Sequence, residues 1–289
     1  MKDETMFAGT IGERRNGFFW GLVLALLCPA FGTGALAAES IVIKGSTTVL
    51  PVAQATLEAY MKTHPGAKIS LSGGGSGDGI KALIDGSTDI ANSSRQITQA
   101  ELLLAGKKGV RPVETAVAID AIVPVVNPKN RVNNLTVDQL SQIYQGKIGN
   151  WKELGGDDLK IVAVSRDSSS GTFEAWNDLV LGKAKVSPRA QMQASSGAIV
   201  QAVSKNRYAL GYVGMGYADK SVKALSVNGV PASVQTAFAR QYPISRILYM
   251  YTNGEPKGET AKYIRFVLGP AGQELVAREG FVPLAGRMP

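Results

Sequence analysis

Four short turns of glycine and small hydroxyl residues, each set between a β-branched run and the start of an amphipathic helix, constrain this chain more than any other feature. Ile41–Gly45 reads as a strand that passes through Ser46, Thr47 and Thr48 into a helix over Val49–Lys62. Ile69–Ser72 reads as a second strand, broken by the glycine-rich stretch Gly73–Gly79 and followed by helical spacing over Ile80–Asp85. Asp89–Asn92 is a third, ending in Ser93-Ser94-Arg95 with a helix over Thr98–Ala105 behind it. In the second half, Lys160–Val164 leads through Ser165–Thr172 into a helix over Phe173–Val180. Ala194–Val203 followed by Ala209–Val213 echoes Ser72–Leu83 followed by Asp89–Ala91, so Ser46 and Ser76 match Ser170 and Ser196. This alternation predicts α/β lobes with largely parallel sheets, whose ligands sit beyond the carboxyl ends of the strands.

The apolar run Thr115–Val126 contains Pro124 and exceeds ordinary strand length, so it is expected to cross between two lobes. A helix near Thr136–Tyr144 belongs to the second lobe, and Ile244–Tyr251 is a strong strand that returns the chain to the first. Short helices over Lys262–Leu268 and Gln273–Arg278 complete it. The expected boundaries are 38–121 with 247–289 for lobe 1 and 122–246 for lobe 2, with the ligand cleft between them. A length of 289 residues, 45% of them hydrophobic, supplies a core for each.

Residues 1–37 read as a secretory signal. Lys2, Arg14 and Arg15 precede the apolar run Gly17–Leu27, which is shorter than the ~20 residues of a membrane-spanning helix, and Ala35-Leu36-Ala37 offers a small-x-small cleavage site. The single cysteine, Cys28, falls inside this segment, so neither a disulfide framework nor a thiolate metal site is expected. The net charge of +8 suits anionic partners without selecting one.

The turns outline an anion cage. A helix N-terminus presents unpaired N–H groups, serine and threonine hydroxyls add donors, and glycine lets backbone approach closely. Taken singly, each hydroxyl also reads as a helix cap. Arg166 has two readings, a bidentate oxyanion contact or a surface partner of Asp167, and Arg95 either faces the cleft or closes the strand end. Catalytic readings fail on inventory: the single histidine, His64, sits in a helix exit far from any candidate serine. No Asp/Glu/His cluster has metal-ligand spacing, and Gly73–Gly79 matches neither nucleotide-binding glycine motif. No cofactor is expected, and no nucleic acid, since the cations form no stripe.

Gly45–Val49, Gly73–Gly79, Asn92–Arg95 and Arg166–Thr172, in this order, resemble the phosphate-binding proteins of phosphate ABC transporters. Asn127–Asn130, Leu135–Leu140, Gly146–Trp151, Gly211–Gly214 and Tyr242–Tyr249 extend the resemblance over most of the chain. It implies a two-lobed type II periplasmic binding-protein fold that closes on inorganic phosphate by a hinge and delivers it to an inner-membrane permease, as a periplasmic monomer and without chemistry on the ligand. Carried over, Thr47, Thr48, Ser76 and Ser94 donate from one lobe, and Arg166, Ser170, Gly171 and Thr172 from the other; Ser46, Arg95, Asp78 and Asp167 are secondary candidates. Many relatives have Asp at the position of Ser94, where it accepts the proton of phosphate and repels sulfate. Here Asp78, Asp167 or the lone pairs of Ser94 are expected to discriminate. The competing readings are a secreted phosphate-ester hydrolase and a carrier of another tetrahedral oxyanion such as sulfate.

Overall fold

The structure, a computed structural model, describes residues 40–284. The signal segment with Cys28 lies outside the described residues. The first three strand–turn–helix units are β1 (Ser40–Gly45), α1 (Leu50–Thr63), β2 (Lys68–Gly73), α2 (Ser76–Ile84), β3 (Ile90–Ser93) and α3 (Gln99–Lys107), within a few residues of expectation. Helix α1 buries Val52, Ala53, Thr56 and Tyr60, one stripe at helical spacing. Helix α3 begins at a capping box in which Thr98 Oγ1 accepts from Glu101 N and Glu101 accepts from Thr98 N.

The long strand β4 (Pro112–Val126) is followed by β5 (Asn134–Leu135), α4 (Val137–Gln145), β6 (Val162–Arg166), α5 (Gly171–Trp176), β7 (Gln191–Gln193), α6 (Ser196–Lys205) and β8 (Ala209–Gly214). The chain ends through β9 (Lys223–Ala224), β10 (Ser226–Val227), α7 (Val234–Phe238), β11 (Ser245–Asn253), α8 (Gly258–Leu268) and α9 (Pro270–Arg278). The helix expected over Phe173–Val180 divides into α5 and a π-helical turn at Asn177–Leu181.

One sheet runs in the order β2-β1-β3-β11-β4-β8-β6-β7, with β9 also on β4. Pairing is parallel within β2-β1-β3 and within β8-β6-β7, as the alternation predicts. The centre departs from it: β4 pairs antiparallel with β11 over Pro112–Ala121 and antiparallel with β8 over Ile122–Val126. Strand β4 is long because its two ends serve two sets of strands. The described residues fall in one compact unit by their contacts. Its apolar interior still divides into two main clusters. One gathers Ile41, Ile43, Val52, Ala118, Leu248, Tyr263 and Phe281, the other Ala121, Ile122, Tyr144, Trp176, Tyr212 and Ile244.

Candidate functional site

At the end of β1, Gly45 has φ +133°, and a Cβ there would lie 2.2 Å from the Asn92 carbonyl oxygen, so only glycine makes this turn. Ser46 N donates to that same oxygen (2.8 Å), and Ser46 Oγ accepts from Thr48 N (3.2 Å). The capping reading of these hydroxyls fails at α1: its N-cap is Val49, which makes no side-chain cap, and Pro51 in the first turn needs no partner for an N–H. Thr47 and Thr48, both buried, instead turn toward the second half of the chain. Thr48 Oγ1 lies 2.8 Å from Thr172 Oγ1; Thr47 Oγ1 lies 3.4 Å from Ser196 Oγ and accepts from Ser196 N at 3.3 Å.

The second and third turns meet the start of α5. Ser76, the first residue of α2, accepts from Ser94 N at 3.0 Å, and its Oγ lies 3.3 Å from Ser94 Oγ; both side chains are fully buried. A Cβ on Gly171 would lie 2.2 Å from Ser76 Oγ and 2.9 Å from Ser94 Oγ, and one on Gly75 would lie 2.4 Å from Ser169 O. Gly77 N donates to that oxygen at 3.0 Å. Ser170 does take the capping role, accepting from Phe173 N at 3.2 Å, while its neighbours Gly171 and Thr172 face the cluster. Asp167 Oδ1 accepts from Ser169 N (2.9 Å) and Ser169 Oγ (2.7 Å) and so shapes the loop. Asp78 is exposed.

Three arginines line or border the cluster. Arg166 is 1% exposed, which removes the surface reading; Nε and Nη2 donate to the carbonyls of Gln193 and Ala194 (3.0 Å each), leaving Nη1 aimed at Ser196 Oγ (3.4 Å). Its strand end is held from behind: Tyr212 Oη accepts from Arg166 N (3.3 Å) and lies 2.9 Å from Ser165 Oγ, and its ring stacks on Trp176 at 4.2 Å. Burial pushes the Tyr212 phenol up to about 12, so it stays a neutral hydrogen-bonding group. Arg95 does not reach the cluster, because its guanidinium is spent on Glu101 (2.8 Å) and on Glu174 of α5 (2.6 Å). That triad instead ties the end of β3 to α5.

Arg246 and Asp120 escaped the reading of the sequence. Arg246 donates through Nε to Asp120 Oδ2 (2.9 Å), through Nη1 to Ser94 O (3.1 Å) and through Nη2 to Thr172 Oγ1 (3.0 Å). Desolvation pushes the wholly buried Asp120 carboxyl up, and the opposing charge of Arg246 offsets this only in part. The available signal was a single charge inside each long apolar strand run. Ser196, in contrast, was visible as the echo of Ser76.

The assembled groups are therefore hydroxyls, buried guanidinium and the first residues of three helices, with no histidine among them; His64 is exposed and stacked on Tyr60. This arrangement can hold a small oxyanion by many donors and has no base with which to activate a serine.

Comparison with known proteins agrees with that chemistry. A model of the PBP superfamily domain matches residues 32–271. The chain is 34% identical to the phosphate-binding protein PstS of Borreliella burgdorferi over 84% of its length and 90% of that protein's. It belongs to the family of these phosphate-binding proteins. The PstS of Bacillus subtilis is 31% identical, with 86% of this chain and 82% of that one covered. A candidate phosphate ABC transporter substrate-binding protein from Clostridium perfringens, solved with bound phosphate, is 36% identical with a TM-score of 0.79, covering 85% of this chain and all of that one. An ABC-type phosphate transport receptor from Vibrio cholerae is 32% identical with a TM-score of 0.69, over 84% and 100%. The α/β fold of the family's solved structures, the type II periplasmic binding-protein fold, is thus the fold of this chain.

Proposed function

We propose that this chain captures inorganic phosphate and presents it to the permease of an ABC transporter, without chemistry on the ligand. The observation that carries the reading is the meeting of Thr47 with Ser196, Thr48 with Thr172, and Ser76 and Ser94 with Gly171, each pair joining distant segments. A charge-assisted hydrogen bond contributes ~1.5–3 kcal/mol, so several converging donors reach the about −8 kcal/mol of micromolar binding. Thr47, Thr48, Ser76, Ser94, Arg166, Ser170, Gly171 and Thr172 are the ligand set, joined by Ser196; the capping bond uses a lone pair of Ser170 and leaves its proton for the anion, while Ser46 and Asp167 shape the turns.

The lobes are 38–121 with 247–289, and 122–246; the separation of the two apolar clusters along β4 and β11 supports this division. Both strands cross between the lobes and act as the hinge. Only the closed form brings donors of both lobes onto one anion, so phosphate drives closure, and the closed face is what the permease reads. The chain works as a periplasmic monomer exported by the signal in residues 1–37; a relative of the fold is described as a periplasmic phosphate-binding protein.

Calorimetry on the full chain, freed of carried-over ligand by partial unfolding and refolding, tests the reading. Phosphate is expected to bind at micromolar Kd or tighter with a stoichiometry of one. Absence of binding by both phosphate and sulfate would reject it.

A further inference from the structure

We infer that Arg246, clamped by Asp120, is a positioning residue that sets the Thr48 and Thr172 hydroxyls as donors toward the bound anion. The inference rests on the phosphate-cage reading and adds a residue pair from the crossing strands to it. Arg246 lies on β11 and Asp120 on β4, outside every turn that carries the cage. The guanidinium reaches three of those turns at once: Ser94 O at 3.1 Å, Thr172 Oγ1 at 3.0 Å, and, at longer range, Gly171 O at 3.5 Å and Thr48 Oγ1 at 3.4 Å.

The chemistry follows from what each group can do. A guanidinium donates and never accepts, whereas a hydroxyl has one proton and two lone pairs. When Nη2 donates to Thr172 Oγ1 and Thr48 Oγ1, each hydroxyl spends a lone pair on Arg246, and its own proton cannot point back along that bond. The Thr48–Thr172 contact at 2.8 Å engages one of the two protons in the absence of an anion, and the other has only the cage interior. An entering oxyanion takes over as acceptor for both. Without Arg246 the same hydroxyls could rotate to satisfy one another, and the cage would have to reorganise as the anion arrives.

Asp120 fixes the fork. Its Oδ2 accepts from Arg246 Nε (2.9 Å) and lies 2.8 Å from Nη2, and its Oδ1 accepts from Met215 N (3.0 Å). Gly214 is the residue that lets this happen, since a Cβ there would meet Thr48 Cγ2 at 2.8 Å and Asp120 Oδ2 at 2.9 Å. A buried carboxylate so saturated has no lone pair directed at a ligand; its part is orientation and local charge balance. A crossing-strand position also means that the group which orients donors from both halves moves with the hinge.

A double-mutant cycle in phosphate affinity is the test, using Arg246→Gln, Thr172→Val and the double variant, with ligand-free unfolding midpoints recorded for each. Arg246→Gln is expected to weaken phosphate binding about 30-fold or more, on the order of one charge-assisted hydrogen bond. Thr172→Val is expected to weaken it about tenfold, and the double variant to be no worse than Arg246→Gln alone, because without Arg246 the Thr172 hydroxyl is no longer set as a donor. Losses that multiply would overturn the inference, as would an Arg246→Gln chain that binds like wild type. Should Arg246→Gln not fold, Arg246→Lys carries the test: it keeps the charge, loses the fork, and is expected to weaken phosphate binding at least fivefold, while wild-type affinity in it rejects the fork. A wild-type chain that binds no oxyanion rejects the functional reading itself, an outcome separate from any variant.

Discussion

A methyl group added at Gly171 would sit 2.2 Å from Ser76 Oγ, 2.8 Å from Ser76 Cβ and 2.9 Å from Ser94 Oγ, closer than a side-chain carbon comes to atoms it is not bonded to. The backbone at Gly171 is not left-handed, so alanine is allowed locally, and at the start of α5 it gains up to about 1 kcal/mol of helix propensity. The whole penalty therefore arises between segments, where α5 and the Ser76 and Ser94 turns must separate. Over-packing of this kind costs about 1–3 kcal/mol. If the two sides part when the cleft opens, an open chain avoids that cost and only the closed, liganded form carries it. At 1.4 kcal/mol per decade, Gly171→Ala should weaken phosphate binding by about 5- to 150-fold. The unfolding midpoint of the ligand-free chain should stay within a degree or two of wild type, or rise. Titration calorimetry and thermal unfolding with and without phosphate measure both quantities. A variant whose ligand-free midpoint falls while its Kd is unchanged would refute the reasoning, because the clash would then belong to the fold and not to closure.

Glu174→Gln cuts the arm of the Arg95 triad that reaches α5, and a partly exposed pair of this kind contributes about 1 kcal/mol, so phosphate Kd should rise several-fold at constant ligand-free midpoint. Glu101→Gln should do the reverse, since Glu101 also closes the α3 capping box; unchanged ligand-free stability would count against it. Acid should expose the same carboxyl: burial raises Glu101, but Arg95 and the Thr98 N–H outweigh it and hold it below its ordinary value, so its contribution is present above that value and lost as pH falls through the depressed one. Asp85, held down to about 2 by Lys108 and Lys81, behaves likewise, and the stability difference between wild type and Asp85→Asn should vanish between the ordinary 3.8 and about 2 in denaturant titrations at stepped pH. Ser94→Ala should reduce the ratio of phosphate to sulfate affinity, while Asp78→Ala and Asp167→Ala leave it within twofold; three equal ratios would remove Ser94 from the discrimination.

The first-half elements were legible because Gly, Ser and Pro punctuate short β-branched runs, and α3 and α4 because Thr98 and Thr136 open capping boxes. Much of the cage was legible for the same reason, since Ser76, Ser94, Gly171 and Thr172 lie in turns between elements. What local sequence could not carry was the destination of each side chain. Thr47 and Thr48 look like caps, and the fold leaves α1 without one so that both hydroxyls reach Thr172 and Ser196. Arg95 looks like a ligand for anions and is consumed by two carboxylates, one of them on an element 79 positions away in α5. Arg246 and Asp120 meet because β11 pairs antiparallel with β4, a register that places Arg246 opposite Asp120 and that no spacing within either strand reveals.

That register also decides what kind of selectivity the cage can have. Of the carboxylates near it, Asp120 is saturated by Arg246 and the Met215 N–H, Asp167 has an oxygen committed to Ser169, and Asp78 is exposed. The acceptors left facing the interior are hydroxyl oxygens, Ser94 among them, and none is a carboxylate. A carboxylate there can only accept, so it welcomes the proton of phosphate and repels an anion that has none. A hydroxyl can rotate, accepting from a protonated phosphate in one orientation and donating to sulfate in the other. Discrimination by this cage is therefore worth about one neutral hydrogen bond, ~1 kcal/mol and so up to about tenfold, rather than the larger margin set by a buried negative charge. The buried Arg166 guanidinium attracts either anion, which strengthens capture without telling the two apart.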